Sequence, residues 1–474
     1  PGGSTLVLGT GEGLAPFQSR GHCAGRVVWV EPDNRICEAI LSRCPDYCDQ
    51  WIRDDPRRVV ALISERFDLI VLDRTAAGGD ALGEDTLLTV ESLRAMMGCL
   101  KSGGMIAIPL ALHNPPRYTP KLLRMIRTAL CWEGVTDPEQ HVLAMRSMQQ
   151  CLICFSPQPF KRSDVEGWRA FARHWEFDLV WTPDMRMDEA NQYHRLDTPV
   201  FFATTTALLT ERRVIPPAAS FYSLDLATDI RPYFWHSVRW STLPVLLHSL
   251  GRMGLAFIDW GVLMLVVSLM VAAVLAALLI LAPLGRLPAS HSSLTRGRVL
   301  TYFGALGLGY LLLEIVVFQR CMLFFGNPVA TAALVFSTFL IGSGLGSISA
   351  PEGSERRVSG RIFGLLAMGL ILAASMLWLM SNAFWRLDSF GRGLLIVAIL
   401  LPMAWAMGRP MPWGLRRLGV QPGLIPWAWG VNGFASVMAP PLATLLSVEQ
   451  GQGVTWLAGF GCYFVAWCLA RRLG

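Results

Sequence analysis

Two patterns of apolar and polar positions divide the chain. Over roughly the first 240 residues, short apolar runs alternate with amphipathic stretches. Ser4 to Leu8, Arg26 to Val30, Phe67 to Leu72 and Met105 to Leu110 each read as a buried strand. Helical spacing falls between them, over Arg35 to Leu41 and over Leu87 to Leu100, with Ser102-Gly103-Gly104 as the stop. Strands alternating with helices predict βαβ units and a parallel sheet covered on both faces. Residues 113–240 are less regular: Leu122 to Leu130 and Val165 to His174 look helical and Gln150 to Phe155 extended, with proline and polar clusters between them. From Trp260 the pattern changes to long apolar runs. The first, Trp260 to Ala282, is 23 residues without a charge, and about 20 apolar residues suffice to cross a bilayer core. Seven such spans are predicted, near 260–282, 299–319, 328–348, 361–381, 393–408, 427–447 and 453–470.

The expected organisation is therefore an α/β Rossmann-like core over 1–112, a sheet edge, cap and connector over 113–240, and a polytopic all-α bundle over 241–474. Gly342 and Gly346 form a small-xxx-small pair that predicts close helix packing in the third span. Because the chain opens with Pro1-Gly2-Gly3 directly before a strand, the natural protein is expected to extend further upstream.

Charge and cysteine content narrow the picture. A net charge of +6, with much of the basic excess in loops between apolar runs, lacks the clustered basic face that nucleic-acid binding needs. Of the 11 cysteines, Cys151 and Cys154 form a CxxC inside an apolar run with no second pair. That context reads as a buried strand with two small apolar thiols, not as a metal or redox centre.

Candidate chemistry collects where strands end. The first strand runs into Gly9-Thr10-Gly11-Glu12-Gly13, a turn that lets the backbone approach a ligand closely. Glu31 closes the next strand, placed to accept hydrogen bonds from ribose hydroxyls. Asp55 precedes the following helix, where its carboxylate can receive an adenine amino group, and Asp73 ends the strand after that. In the apolar half, Glu314 sits mid-span, with Asn432, Gln319 and Arg320 as candidate partners. Arg409, flanked by Pro410 and Pro412, is expected at a helix break.

The glycine turn, Glu31, Asp55-Pro56-Arg57-Arg58 and the Phe67 to Asp73 strand together resemble the spermidine synthase branch of the S-adenosylmethionine-dependent methyltransferase fold. The stretches Thr86 to Gly104, Asp229 to Phe234, Gly309 to Arg320, Met407 to Leu415 and Trp427 to Val437 resemble its membrane-embedded bacterial relatives. The resemblance implies a transferase that binds S-adenosylmethionine or its decarboxylated form as co-substrate, without a metal, and moves an aminopropyl or methyl group to a small amine or a membrane-proximal acceptor. It places Gly9, Thr10, Gly11, Glu12 and Gly13 at the sulfonium nucleoside, Glu31 on the ribose, Asp55 on the adenine and Asp73 on the attacking amine. The chain departs from the family after Asp73. It reads Arg74-Thr75-Ala76-Ala77 where the polyamine loop carries a second acid and a proline. Asp80, Glu84 and Asp85 are the nearest substitutes in sequence. That departure keeps open an alternative, a degenerate nucleoside-sensing domain coupled to a membrane transport bundle.

The expected partners are a lipid bilayer and a small acceptor, with self-association left open and nucleic acid excluded. The expected location is a bacterial plasma membrane, with the soluble domain in the cytoplasm. Charge bias complicates that location: alternate loops carry eleven arginines on one side and three on the other, Arg320, Arg386 and Arg392. The positive-inside rule puts the richer set in the cytoplasm, which with seven spans places the front domain outside. An additional crossing within 241–258, or an upstream segment that overrides the bias, would reverse this.

Overall fold

The computed structural model describes residues 3–9, 25–44, 46–73, 83–210, 221–242, 244, 260–285, 293–352, 356–379, 382–418 and 422–470. It divides into two compact units, Pro1–Gly261 and Val262–Gly474.

The first unit is built on one eight-stranded sheet, in the order β3-β2-β1-β4-β5-β7-β6-β8. Its strands are β1 Thr5–Leu8, β2 Val27–Val30, β3 Gln50–Ile52, β4 Phe67–Leu72, β5 Leu100–Ala111, β6 Val142–Arg146, β7 Gln150–Phe155 and β8 Asp178–Trp181. The five strands β1 to β5 pair in parallel, and β7, β6 and β8 close the sheet antiparallel. Parallel strands are covered on both faces and so read as unbroken apolar runs. One face of the sheet carries Leu6, Leu8, Val28, Val30, Ile70 and Leu72 into the main core. Helices α2 (Pro56–Leu62), α3 (Val90–Met97), α4 (Tyr118–Trp132) and α6 (Val200–Leu209) cover this face. On the other face, α1 (Asn34–Leu41) covers Val7, Val27 and Trp29, and α5 (Arg162–His174) covers Ala107, Leu143 and Cys154. This is a Rossmann-like, doubly wound sheet. Its direction of winding reverses between β1 and β4, where open α/β sheets bind ligands at the strand ends.

Two expectations are corrected here. The glycine pair after the Leu87 to Leu100 stretch does not stop a helix ahead of a separate strand. Strand β5 already begins at Leu100 and passes through Gly103 and Gly104 as an irregularity against β4. A Cβ at Gly104 would lie 2.8 Å from the Phe67 carbonyl oxygen, so the close approach of β4 requires glycine there. The stretch 113–240 also holds more regular structure than its pattern shows, since β6, β8 and α6 all fall within it.

Cys151 and Cys154 lie on β7, as the apolar context implies, but three residues apart on a strand puts them on opposite faces. Cys151 packs in the main core and Cys154 under α5. Burial pushes both thiols up to about 12, so neither serves as a thiolate near neutral pH.

The second unit contains helices long and apolar enough to cross a membrane, seven in all with the one that begins at Trp260, among the described residues. They are α7 Trp260–Leu284, α8 Ser293–Phe325, α9 Pro328–Ile348, α10 Arg356–Leu379, α11 Ser389–Met407 continued by α12 Pro410–Arg417, α13 Ile425–Gln450 and α14 Gln452–Ala470. Helix α8 is the hub and packs on α9, α13 and α14, while α9 packs on α11. A Cβ at Gly346 would lie 2.0 Å from the Trp405 carbonyl oxygen, and one at Gly408 would lie 2.1 Å from that of Ser343. The small residues thus set the α9–α11 contact at backbone distance. Apolar side chains of α7, including Met270, Val274, Leu278 and Leu279, face outward.

Many of the arginines assigned to loops lie within the ends of helices, Arg296 and Arg298 in α8, Arg356, Arg357 and Arg361 in α10, and Arg416 and Arg417 in α12, and two on the poorer side lie within helices and are buried. Arg320 lies within α8 and donates to the Leu377 carbonyl at 3.3 Å, and Arg392 lies within α11 and donates to the Phe324 carbonyl at 2.5 Å. Both are buried. They donate to carbonyls near the ends of neighbouring helices, and of the three arginines counted on the poorer side only Arg386 is exposed. The region 241–258, invoked for an additional crossing, lies mostly outside the described residues.

Candidate functional site

Backbone hydrogen bonds align the ends of four adjacent strands. The Gly9 N–H donates to the Val30 carbonyl at 3.0 Å, Glu31 N–H to Ile52 at 3.2 Å, and Asp73 N–H to Leu8 at 3.0 Å. Gly9, Glu31 and Asp73 are therefore the first residues beyond β1, β2 and β4, in register along one sheet edge. Asp55 follows β3 at the same edge, three residues past Ile52. The structure brings these four together. Thr10, Gly11, Glu12 and Gly13 lie outside the described residues, as do Arg74 and Asp80.

Each residue has a local reason for its place. Gly9 adopts φ +89°, a left-handed conformation that favours glycine. The Trp29 indole N–H holds its carbonyl at 3.0 Å from below the turn. Trp29 in turn stacks with Trp51, ring centroids 6.2 Å apart, and meets Tyr47 edge-on at 4.9 Å. Glu31 is buried, and its Oε1 accepts the Asp33 N–H at 3.0 Å. Asp55 is the N-cap of α2, with Oδ1 accepting from the backbone N–H groups of Arg57 and Arg58 at 2.8 and 3.2 Å. Burial pushes its carboxyl above the ordinary carboxylate range, against the pull of those two donors. Asp73 is buried. Burial, and after it the Asp73 carboxylate, raises the nearby Tyr47 phenol well above its ordinary value, so the phenol stays protonated.

Glu84 and Asp85 accept hydrogen bonds from the segment that returns to the sheet edge and from the backbone beside it. Glu84 accepts from the Tyr233 hydroxyl at 3.0 Å, and Asp85 accepts from Trp235 Nε1 at 3.2 Å and from the Leu87 and Leu88 amides. They belong to a clasp that the sequence does not reveal, in which residues 225–237 return to the sheet edge. The Asp229 carboxylate receives Arg57 Nη2 at 2.8 Å and the Thr89 hydroxyl at 2.7 Å. The Lys121 ammonium, buried, donates to the carbonyls of Tyr233 and His236 at 3.0 and 2.7 Å. Through Arg57 the clasp reaches α2, whose first turn is capped by Asp55. Tyr47, Trp29 and Trp51 were equally unmarked, because an aromatic in an apolar strand carries no signal of what it supports.

In the second unit, the candidate partners of Glu314 turn elsewhere. Asn432 Nδ2 donates to the Phe303 carbonyl at 3.0 Å, and Arg320 is committed to Leu377. The Gln319 Oε1 has no hydrogen-bond partner among the described residues. Arg409 does stand at a helix break, between α11 and α12, with its guanidinium 3.3 Å from the Trp405 ring centroid. Among the described residues no group of three or more His, Cys, Asp or Glu side chains is arranged to hold a metal.

No protein-family model matches the chain. It is 29% identical over 137 residues to a polyamine aminopropyltransferase of Thermoplasma volcanium, 27% of this chain and 48% of that protein. It is 28% identical over 136 residues to polyamine aminopropyltransferase 2 of Hyperthermus butylicus, 26% and 43% respectively. The chain thus spans about half the length of the curated relatives it matches. Among solved structures it resembles a probable spermidine synthase from Corynebacterium glutamicum, 20% identical, with 35% of this chain and 61% of that one covered and a TM-score of 0.27. A stretch of this chain is homologous to polyamine aminopropyltransferases. With overlap that partial, the fold itself rests on strand order and register: a methyltransferase-type sheet, five parallel strands with an antiparallel end.

Proposed function

We propose that the first unit is a transferase that binds S-adenosylmethionine or its decarboxylated form and moves a methyl or aminopropyl group to an amine, with the helical unit seated in a lipid bilayer. One observation carries the reading: Gly9, Glu31, Asp55 and Asp73 stand in a row at the carboxyl ends of β1 to β4, around the point where the winding reverses. Homology to polyamine aminopropyltransferases supports the reaction class.

The residues present fit a nucleoside. Gly9 offers a surface without a side chain, with its carbonyl already engaged by Trp29. Glu31 offers a carboxylate to paired ribose hydroxyls. Asp55 spends Oδ1 on its helix, which leaves Oδ2 to accept from an adenine amino group. When bound, the sulfonium group supplies an electrophilic carbon and a neutral thioether as leaving group. Asp73 would hold the incoming ammonium and take its proton, freeing the nitrogen lone pair to form the new C–N bond as the C–S pair leaves with sulfur. Alignment of the amine by Asp73 against the strand-end row supplies the proximity term. Outward-facing apolar side chains on α7, α9 and α10 support seating in lipid.

Calorimetry on the detergent-purified chain tests this with S-adenosylmethionine, its decarboxylated form and methylthioadenosine. Glu31→Ala should weaken all three by tenfold or more. Preference for the decarboxylated form selects aminopropyl transfer, and absence of any binding by folded protein removes the transferase reading.

A further inference from the structure

Helices α8, α9, α12 and α13 line a half-open cavity of about 450 Å³ in the second unit. Its wall is unusual for a bundle of apolar helices. Tyr310, Ser343, Asn432 and Ser436 contribute polar groups to it. A Cβ built at Gly344, an exposed position on the α9 wall, meets nothing within 4 Å, whereas at Gly307 helix α8 lies directly against α13, with the Asn432 carbonyl oxygen 2.4 Å from where a Cβ would stand. Tyr310 and Ser343 hydroxyls hold each other at 3.2 Å across the α8–α9 contact. Asn432 and Ser436 reach back to backbone carbonyls of α8, at Phe303 and Gly307. Each of these groups therefore has a partner and also retains hydrogen-bonding capacity toward the cavity: a lone pair on each hydroxyl and the Asn432 amide oxygen.

The α8 face that lines the cavity through Gly307, Tyr310 and Leu311 continues one turn further to Glu314, at i+4 from Tyr310. Glu314 is 8% exposed, and among the described residues no side chain gives it a hydrogen bond or an ion pair. A buried carboxylate in an apolar helix is costly and is retained where something answers its charge. Neither candidate cation forms an ion pair with it among the described residues: Arg320 donates to the Leu377 carbonyl, and Arg409 lies over the Trp405 ring. No basic side chain is among the described residues that line the cavity. The aromatic rings of Tyr310 and Tyr463 line it, and such faces attract ammonium groups.

We infer that this cavity is a binding site for a small organic ammonium ion, with Glu314 as its counter-charge and the Tyr310, Ser343, Asn432 and Ser436 groups as its hydrogen-bond acceptors. An anion would be repelled by the Glu314 carboxylate, one turn beyond the lining residues, with no basic side chain on the wall to offset it. A neutral solute would leave the Glu314 charge unanswered. The inference does not rest on the transferase reading, and an amine held by Asp73 has to be separated from one held here.

The test therefore uses the full chain in lipid nanodiscs with Asp73→Asn as background. Binding of 1,4-diaminobutane is measured by calorimetry, with 1,4-butanediol as the uncharged isostere. The diamine should bind in the Asp73→Asn background, and Glu314→Gln should weaken it by tenfold or more. Gly344→Leu, which fills open space, should weaken it comparably while elution and helical circular dichroism stay unchanged. That second variant decides the matter if Glu314→Gln fails to fold. Equal binding of the diol, diamine binding indifferent to either variant, or no diamine binding in the Asp73→Asn background would each overturn the site. Loss of diamine binding through Asp73→Asn alone would leave the transferase reading standing and remove this one.

Discussion

Both hydrogen bonds that cap α2 end on the same Asp55 oxygen, Oδ1, and this separates the residue's structural contribution from its proposed role in binding. In Asp55→Asn the amide oxygen can keep the cap, because Asn is as good an N-cap as Asp. The amide NH2 then replaces Oδ2 and faces the adenine amino group donor to donor. Asp55→Asn should fold normally yet bind methylthioadenosine about tenfold or more weakly, as loss of a hydrogen bond to a charged acceptor implies. Asp55→Ala should lose binding and also about 1 kcal/mol of stability through the cap. The pH dependence has a definite sign. The folded pKa of Asp55 is raised by burial, so the folded state holds this proton more tightly than the unfolded chain. Its contribution is complete below the unfolded value of about 3.9 and is lost as pH rises through the raised folded value. Thermal unfolding of Asp55→Asn against wild type should therefore show the difference moving in favour of the variant from about pH 4 upward. A pH-independent difference would show that the carboxylate is not held in the desolvated setting described.

At the scale of elements, two glycines two residues apart on α9 have opposite fates. Gly346 meets the Trp405 carbonyl and has no room for a Cβ, while Gly344, two residues earlier on α9, meets nothing. Gly346→Ala should lower the unfolding temperature of the detergent-purified protein, at a cost of about 1–3 kcal/mol typical of overpacking. Gly344→Ala should be neutral or slightly stabilising, because Ala outranks Gly in a helix. Equal effects would mean that α9 and α11 do not approach at backbone distance. The sequence carries this contact, since the small-xxx-small spacing names Gly342 and Gly346 directly. It carries the strand ends at Gly9, Glu31 and Asp73 as well, because a parallel strand buried on both faces is an apolar run whose first polar residue marks its end. The three-residue β3 is too brief for periodicity to register, whereas β6 and β8, no shorter than β1 and β2, lie among proline and polar clusters that obscure their apolar runs. That Asn432 and Arg320 turn away from Glu314 was not legible either. Which polar groups meet depends on the rotation of each helix about its axis, and the glycine contacts with neighbouring helices fix that rotation.

For the first unit as a whole, the returning segment 225–237 joins parts of the chain far apart in sequence: Arg57 pairs with Asp229 across 172 residues, and Lys121 reaches His236 across 115. Side chains of the Arg57–Asp229 pair are 8% and 19% exposed, so removing one partner leaves the other charge desolvated. Burial, and after it the neighbouring Asp229 carboxylate, also raises Glu91 above its ordinary range, so loss of Arg57 would leave two acids facing each other. Breaking such a pair costs about 3–5 kcal/mol, whereas replacing both partners with apolar groups of similar volume is often nearly neutral. Arg57→Met should therefore destabilise the protein strongly, and Asp229→Leu should do so to a similar degree. The double variant should recover much of the loss in thermal unfolding. Nucleoside binding adds a second readout. If the clasp only braces the sheet edge, the recovered double variant should bind methylthioadenosine within about threefold of wild type. If instead the Arg57–Asp229 pair sets the angle at which α2 presents Asp55, stability should return while binding stays weak, which would make Arg57 and Asp229 positioning residues for the adenine end of the site.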